Sequence, residues 1–305
     1  MFIIANVTDW LLWLIPKPFV QLAPQTWLIN ISHRLKNERK INDSKRGDPV
    51  VRISYNMVVK YGTGVSPGEA ATQEYASQHV DPNIVRVPRV YRYFQHHDPS
   101  DTKPKGYLFM EYIPGQNLKT LNNIDSNSEI TKKLTKIIAH LGQIKGGGVP
   151  GPVGGGMPRG YLWGDNGAKM EFGSLEDMNA WVNKRIELLE ETVDLTPHSL
   201  SLCHMDLCRR NIILMEDQSI CLLDWGHAGF FPRFYEIAAI KCSNDHYSMS
   251  LFEATTKAIA LTEEELRCMD LVIKARDASL RWSFEKRTHC NTSPFLDFVT
   301  ARVLI

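Results

Sequence analysis

The sequence predicts an α+β chain of two lobes, a small β-rich N-terminal lobe followed by a mainly helical C-terminal lobe. Three observations carry that prediction. PVVRISYNMVVKYG, residues 49–62, reads as two β-rich runs around a Ser54-Tyr55-Asn56 turn. Apolar residues at 130, 134, 137, 138 and 141, and again at 175, 178, 181, 182, 186 and 189, give two helices one apolar face each. Between Ser201 and Glu236 the pattern is loop, short strand, tight turn, short strand, loop. Its strands are Ile212-Ile213-Leu214 and Ile220-Cys221-Leu222-Leu223, and its turn is Glu216-Asp217-Gln218.

At 305 residues, with 43% hydrophobic and 23% charged residues, the chain is long enough to bury a sizeable core. The expected division is 1–112, an N-terminal segment plus the β-rich lobe, and 113–305, the helical lobe. A net charge of +1 gives no sign of a nucleic-acid partner. The first 117 residues are slightly basic and the rest slightly acidic, which would suit an anionic and a cationic ligand respectively. The six cysteines form no CxxC pair and no Cys/His metal spacing, and no signal-peptide pattern is present, so a reduced, cytoplasmic chain is expected. Cys203, Cys208 and Cys221 read as small core or wall residues. The sequence sets no oligomeric state.

The first nineteen residues, MFIIANVTDWLLWLIPKPF, are apolar but broken by Asp9 and ended by Pro16-Lys17-Pro18, well short of the roughly 20 residues of a membrane span. A short helix packed on the first lobe is the preferred reading, over a membrane or dimer contact through Trp10, Trp13 and Leu14. Residues 34–48, RLKNERKINDSKRGD, read as a charged linker or irregular strand. Lys60 ends an apolar VVK run, and a helix follows the Gly64…Pro67-Gly68 break. Glu69 and Glu74 both fall in its first turns, about 140° apart around the axis, so both cannot face one partner. Residues 106–115 form a strand running into a Pro-Gly turn. The stretch 146–167, dense in glycine and proline, is too long for a plain connector. Its Tyr161, Trp163 and Asp165 suggest a loop folded over the C-terminal lobe near a substrate site. Ser174 with Asp177 is a capping-box variant, and Thr262 to Glu265 opens a later helix.

Asp206 and Asn211 precede the second hairpin and Asp224 follows it, spaced by five and thirteen residues. A hairpin of that length returns the chain to its starting point, so two carboxylates and an amide meet at its root. Oxygen donors of this kind suit a hard divalent cation. Asp and Asn are also ordinary turn residues, and each alone would be read that way. The joint order Lys60, Glu69, Asp206, Asn211, Asp224 is what lifts the set above composition. Phosphoryl transfer needs such a set: a carboxylate to orient a hydroxyl, and an amide and a second carboxylate to hold metal against phosphate.

His204-Met205-Asp206 with Asn211, and Asp224-Trp225-Gly226, resemble the paired motifs of the protein-kinase-like superfamily. The runs H-x-D-L, R-N-I-L, D-W, A-G, P and E, and the Val87-Pro88-Arg89-Val90 strand start, are similar to its aminoglycoside-phosphotransferase-like branch, especially the fungal members. The resemblance covers roughly residues 45–240. It implies a bilobal kinase-like fold and transfer of the ATP γ-phosphate to a hydroxyl of a small molecule, aminoglycoside-, choline- or secondary-metabolite-like. Asp206 becomes the catalytic base, Asn211 and Asp224 the Mg²⁺ ligands, and Lys60 the phosphate clamp oriented by Glu69. At the hinge, Glu111 and Ile113 would read the adenine edge, with Met110 behind the ring. His204 would support its loop from behind. Arg209 and Arg210 would be loop-surface residues, and His227 a wall residue. Glu236 would anchor the following helix with Arg233. No glycine-rich GxGxxG precedes Lys60, and no A-P-E or long activation segment follows Asp224, which argues against a protein kinase. A catalytically degenerate binding module is the other alternative, and the intact residue set argues against it.

Overall fold

The computed structural model describes residues 17–41, 47–121, 128–165 and 167–281. The apolar start with Trp10, Trp13 and Leu14 lies outside the described residues. Among the described residues no helix is long and apolar enough to cross a membrane.

The N-terminal lobe contains α1 (Lys17–Leu22), α2 (Gln25–Arg39), β1 (Val50–Ser54), β2 (Met57–Gly62), α3 (Pro67–His79), β3 (Val90–His96) and β4 (Lys105–Glu111). The four strands form one antiparallel sheet in the order β1-β2-β4-β3. β1 and β2 are the predicted hairpin. β2 lies inside the sheet, with Lys60 opposite Val50 on one side and Leu108 on the other. Residues 34–39 are not linker or strand but the last turns of α2. Leu28, Ile31, Ser32 and Leu35 recur at helical spacing and are buried, while the polar residues between them face water. That stripe packs on Val51, Ile53, Val59, Tyr107 and Phe109, forming the core of this lobe.

Helix α3 begins at Ser66, whose Oγ accepts from the Glu69 amide at 3.1 Å, with Pro67 in the first turn. Its other end lies against the second lobe. Ala76 and Val80 share a core with Leu134, Ile137 and Leu141 of α4 (Glu129–Leu141) and with Leu202, Leu222 and Trp225. The lobes are therefore packed together through α3 as well as joined by the chain.

The C-terminal lobe adds α5 (Leu175–Ile186), α6 (Phe234–Lys241), α7 (His246–Ala258) and α8 (Glu263–Arg281). The predicted helix starts carry the caps that their sequences suggest. Ser128 Oγ accepts from the Thr131 amide and Ser174 Oγ from the Asp177 amide. Thr262 and Glu265 bond each other reciprocally, side chain to amide in both directions. β5 (Gln116–Asn117), β7 (Ile212–Leu214) and β8 (Ile220–Leu222) form a small sheet that contains the second predicted hairpin. The loops expected on either side of that hairpin hold two further strands, β6 (Leu200–Cys203) and β9 (Gly229–Pro232), paired antiparallel. Every residue of both is buried, so neither shows the alternation that marks a half-buried strand.

The glycine-rich stretch leaves α4, bonds Leu200 O through Gly146 N, and pairs Gly151 with Phe230 of β9 in both directions. It then touches the other lobe. Val153 N donates to Thr72 Oγ1 at 2.9 Å, and Arg159 Nη1 donates to Gly64 O at 2.6 Å. Trp163, expected near a substrate site, is instead in the helical core with Phe172, Trp181, Phe231 and Tyr235. Tyr161 is the aromatic that faces outward, 42% exposed.

Candidate active site

The β7–β8 hairpin does bring its root residues together. Leu223 N donates to Asn211 O at 2.8 Å, which fixes Asp224 beside Asn211. Asn211 Nδ2 donates to Asp206 O at 3.0 Å and to Asp206 Oδ2 at 2.9 Å, leaving its own Oδ1 turned away from Asp206. Buried His204 closes the triangle: its Nε2 donates to Leu223 O at 2.9 Å and its Nδ1 accepts from Asp206 N at 3.3 Å. With one nitrogen donating and the other accepting, the imidazole is neutral, and burial lowers its pKa in the same direction. His204 thus holds the loop from behind, as its sequence position suggested.

Glu236 has a different part from the one expected. Arg233 pairs with Glu265 at 2.6 and 2.7 Å, while buried Glu236 accepts from the amides of His204 and Met205. Met205 has φ of +66°, a conformation costly for a side chain of its size, and the two bonds to Glu236 lie against that residue and its neighbour. Glu236 therefore braces the Asp206 loop from α6. Burial raises its carboxyl to about 7, against the pull of the two amide bonds.

Lys60 spans the lobes. Its Nζ lies 2.6 Å from Glu69 Oε1 and 2.8 Å from Asp224 Oδ1. Glu74, the other candidate partner, is exposed on the far side of α3. Burial disfavours the Lys60 charge, but the two carboxylates outweigh it and its pKa rises. Asp224 shows the mirror image: burial pushes its carboxyl up, Lys60 pulls it further down, and it settles at about 2. For Glu69 burial dominates and the pKa rises in spite of Lys60. Where α3 approaches the Trp225–His227 turn, a Cβ on Gly226 would lie 3.3 Å from Glu69 Oε2 and 3.4 Å from Asp224 Oδ1, so the glycine leaves room for both carboxylates.

At the end of β4, Met110 sits between sheet and α3, its Sδ accepting from Gln73 Nε2 at 3.3 Å. Glu111 N donates to Arg89 O at 2.9 Å, and its carboxylate lies 3.5 Å from both Arg86 and Arg89. Ile113 is buried, and its amide has no hydrogen-bond partner among the described residues. Ile113 also packs on Ile213 and Cys221, so this strand end and the hairpin share one apolar floor.

Four residues matter more than their sequence positions suggested. Arg210 is half exposed, yet its Nη2 lies 2.9 Å from Asp206 Oδ2, so it is not simply a surface residue. Arg209 ties the loop down through Leu118 O at 3.0 Å and through Leu121 O. His227 Nδ1 is 3.7 Å from Asp206 Oδ2, buried and without a hydrogen bond. Asp48 lies beside Gly62 and Gly64 and acts on Lys60, and burial raises its carboxyl. Arg209, Arg210 and His227 stood out in the sequence by their places beside Asp206 and Asp224, though only as loop-surface and wall residues, whereas Asp48 carried no such signal. A separate open concavity lined by Lys145, His198, Arg233 and Glu265 lies away from these residues, and its charged groups are already paired.

Among the described residues no cluster of three or more His, Cys, Asp or Glu could hold a metal by itself. Asn211 Oδ1 and the half-exposed Asp224 carboxylate are nevertheless adjacent oxygen donors, a set that fits a cation completing its shell with phosphate and water.

The comparison with curated proteins finds no match. Among solved structures the chain is similar to aminoglycoside phosphotransferase APH(4)-Ia, at 13% identity over 83% of this chain and 88% of that one, with a TM-score of 0.49. It is also similar to APH(2")-IIia, solved with GDP and kanamycin, at 12% identity over 83% and 90% of the two chains, with a TM-score of 0.46. The sequence profile of the phosphotransferase enzyme family matches residues 40–265, well over half the length. The chain belongs to the phosphotransferase enzyme family.

Proposed function

We propose that this phosphotransferase moves the γ-phosphate of ATP to a hydroxyl of a small molecule, in a cleft between a nucleotide-binding lobe within residues 1–112 and a catalytic lobe within 113–305. The observation that carries the reading is the Lys60 bridge to Glu69 and Asp224, which ends at the same hairpin root that holds Asp206. Adenine would lie on the floor made by Ile113, Ile213 and Cys221, reading the Glu111 carbonyl and the free Ile113 amide, with Met110 behind it. Lys60, held charged, clamps phosphate oxygens while Glu69 keeps it in place. Asn211 and Asp224 would hold Mg²⁺, which neutralises phosphate charge when bound.

Asp206 is the base. Asn211 and Arg210 both occupy its Oδ2, so Oδ1 is the oxygen left to take the acceptor hydroxyl's proton. Positioning matters more than basicity here, because the transition state is loose and the attacking oxygen need not be deprotonated early. We further infer membership of the fungal-type branch from the motif run between His204 and Glu236.

ATP with Mg²⁺ should raise the unfolding temperature of the wild-type chain, and Asp224→Ala should abolish most of that rise. No shift in the wild type at millimolar nucleotide would overturn the reading.

A further inference from the structure

An acceptor subsite presupposes the phosphotransferase reading, and around Asp206 the acceptor half of the cleft has its own chemistry. Arg210 exposes 52% of its side chain while one nitrogen stays on Asp206 Oδ2. Tyr161, delivered by the glycine-rich stretch, lies beside Arg210 and meets the His227 ring edge-on at 6.2 Å. His227 keeps 31% of its side chain exposed although Nδ1 is sealed, so the exposure falls on the rest of the ring. Gly160, at φ +104°, makes this packing fit, since a Cβ there would lie 2.9 Å from His227 Cγ and Nδ1.

The charged groups acting on His227 are Asp206 and Asp224 against Lys60 and Arg210. Asp224 Oδ1 is held by Lys60, and Asp206 Oδ2 by Asn211 and Arg210. An ammonium group entering here meets the Arg210 guanidinium, and the Asp206 oxygen still open is the one that the acceptor hydroxyl takes. A hydroxyl or carboxylate finds donors in Arg210 and Tyr161.

We propose that Arg210, His227 and Tyr161 form the acceptor subsite, and that it selects polyhydroxyl compounds without cationic groups, sugars or hydroxy acids, over amino-substituted ones. Local charge then sets acceptor class, against the mildly acidic balance of the lobe as a whole.

The test uses one ring in three charge states. Glucuronate, glucose and glucosamine are titrated into the full chain loaded with ADP and Mg²⁺, with binding read by calorimetry. Glucosamine should bind weaker than glucuronate by on the order of tenfold, as expected for a like charge near a partly exposed guanidinium. Arg210→Gln should collapse that ratio, Arg210→Lys should keep it, and Tyr161→Phe should weaken glucuronate and glucose alike. Equal binding of the three, no binding by any, preference for glucosamine, or an unchanged ratio in Arg210→Gln would each overturn the proposal. The ADP–Mg²⁺ shift, measured first, separates the two levels: if it is present and the charge series fails, only the acceptor assignment falls. If the shift is absent, the phosphotransferase reading falls and this one with it.

Discussion

On the nucleotide side of the cleft, Lys60, Glu69 and Asp224 come from a strand, a helix and the end of a hairpin, and meet as a closed set of ion pairs. On the acceptor side, Asp206 and Arg210 come from one loop and Tyr161 from a glycine-rich stretch, and two of the three are substantially exposed. The first set is over-determined by regular structure and has little freedom. The second joins a buried, braced Asp206 to Arg210 and Tyr161, which loop contacts hold and solvent reaches. On the proposed assignment, common chemistry and individual choice of acceptor would fall to parts of the molecule held in different ways.

Four variants probe that contrast, in decreasing order of effect. Asp206→Asn removes the base but leaves the Lys60 set intact, so ADP formation should fall by roughly 10²–10⁴ while ATP still stabilises the fold. Equal loss of binding would show that the two halves are not separable. Lys60→Met leaves buried Glu69 without its counter-charge and should cost about 3 kcal/mol of stability in denaturant unfolding, besides weakening nucleotide binding. A cost near zero would mean that the set is not closed.

Glu236→Gln tests the brace under the Asp206 loop. Because the folded chain holds the Glu236 proton up to about 7, the unfolded chain releases it first as pH rises from the ordinary carboxylate value. Wild-type stability from this group is therefore greatest at low pH and declines through that window. The variant should lack the decline, so the gap between wild type and variant should narrow from about pH 5 to about pH 8, on the order of 2 kcal/mol. A gap that stays constant would place the titration elsewhere. Gly160→Ala forces a side chain into a glycine-only conformation against His227, at a cost of about 1–2 kcal/mol. Acceptor KM should rise in steady-state assays with nucleotide affinity unchanged, and a change in nucleotide affinity alone would contradict the division.

Legibility in the sequence follows the same line. The hairpins and the meeting of Asp206, Asn211 and Asp224 could be read because local pattern and short spacing fix them, whereas Lys60 and Glu69 were picked out by the family resemblance. Helix caps at Ser128, Ser174 and Thr262 were readable for the same reason. Strands β6 and β9 were not, since burial on both faces erases alternation. The end of α2 was hidden by its charged outer face. The partners of Arg210, Glu236 and Trp163 depend on how distant segments pack, and no spacing encodes that. Overall lobe charge likewise gave no guide to the few ångströms around Asp206.

The stretch that carries Tyr161 is also tied to the opposite lobe, by Val153 to Thr72 and Arg159 to Gly64. The stretch is thus anchored at both ends in the C-terminal lobe, through Gly151 on β9 and Trp163 in the helical core, and reaches the N-terminal lobe with its middle. Any widening of the cleft pulls on that middle and draws the acceptor wall with it. On the proposed assignment, occupancy of the nucleotide site would be felt in the shape offered to the acceptor through this strap of chain.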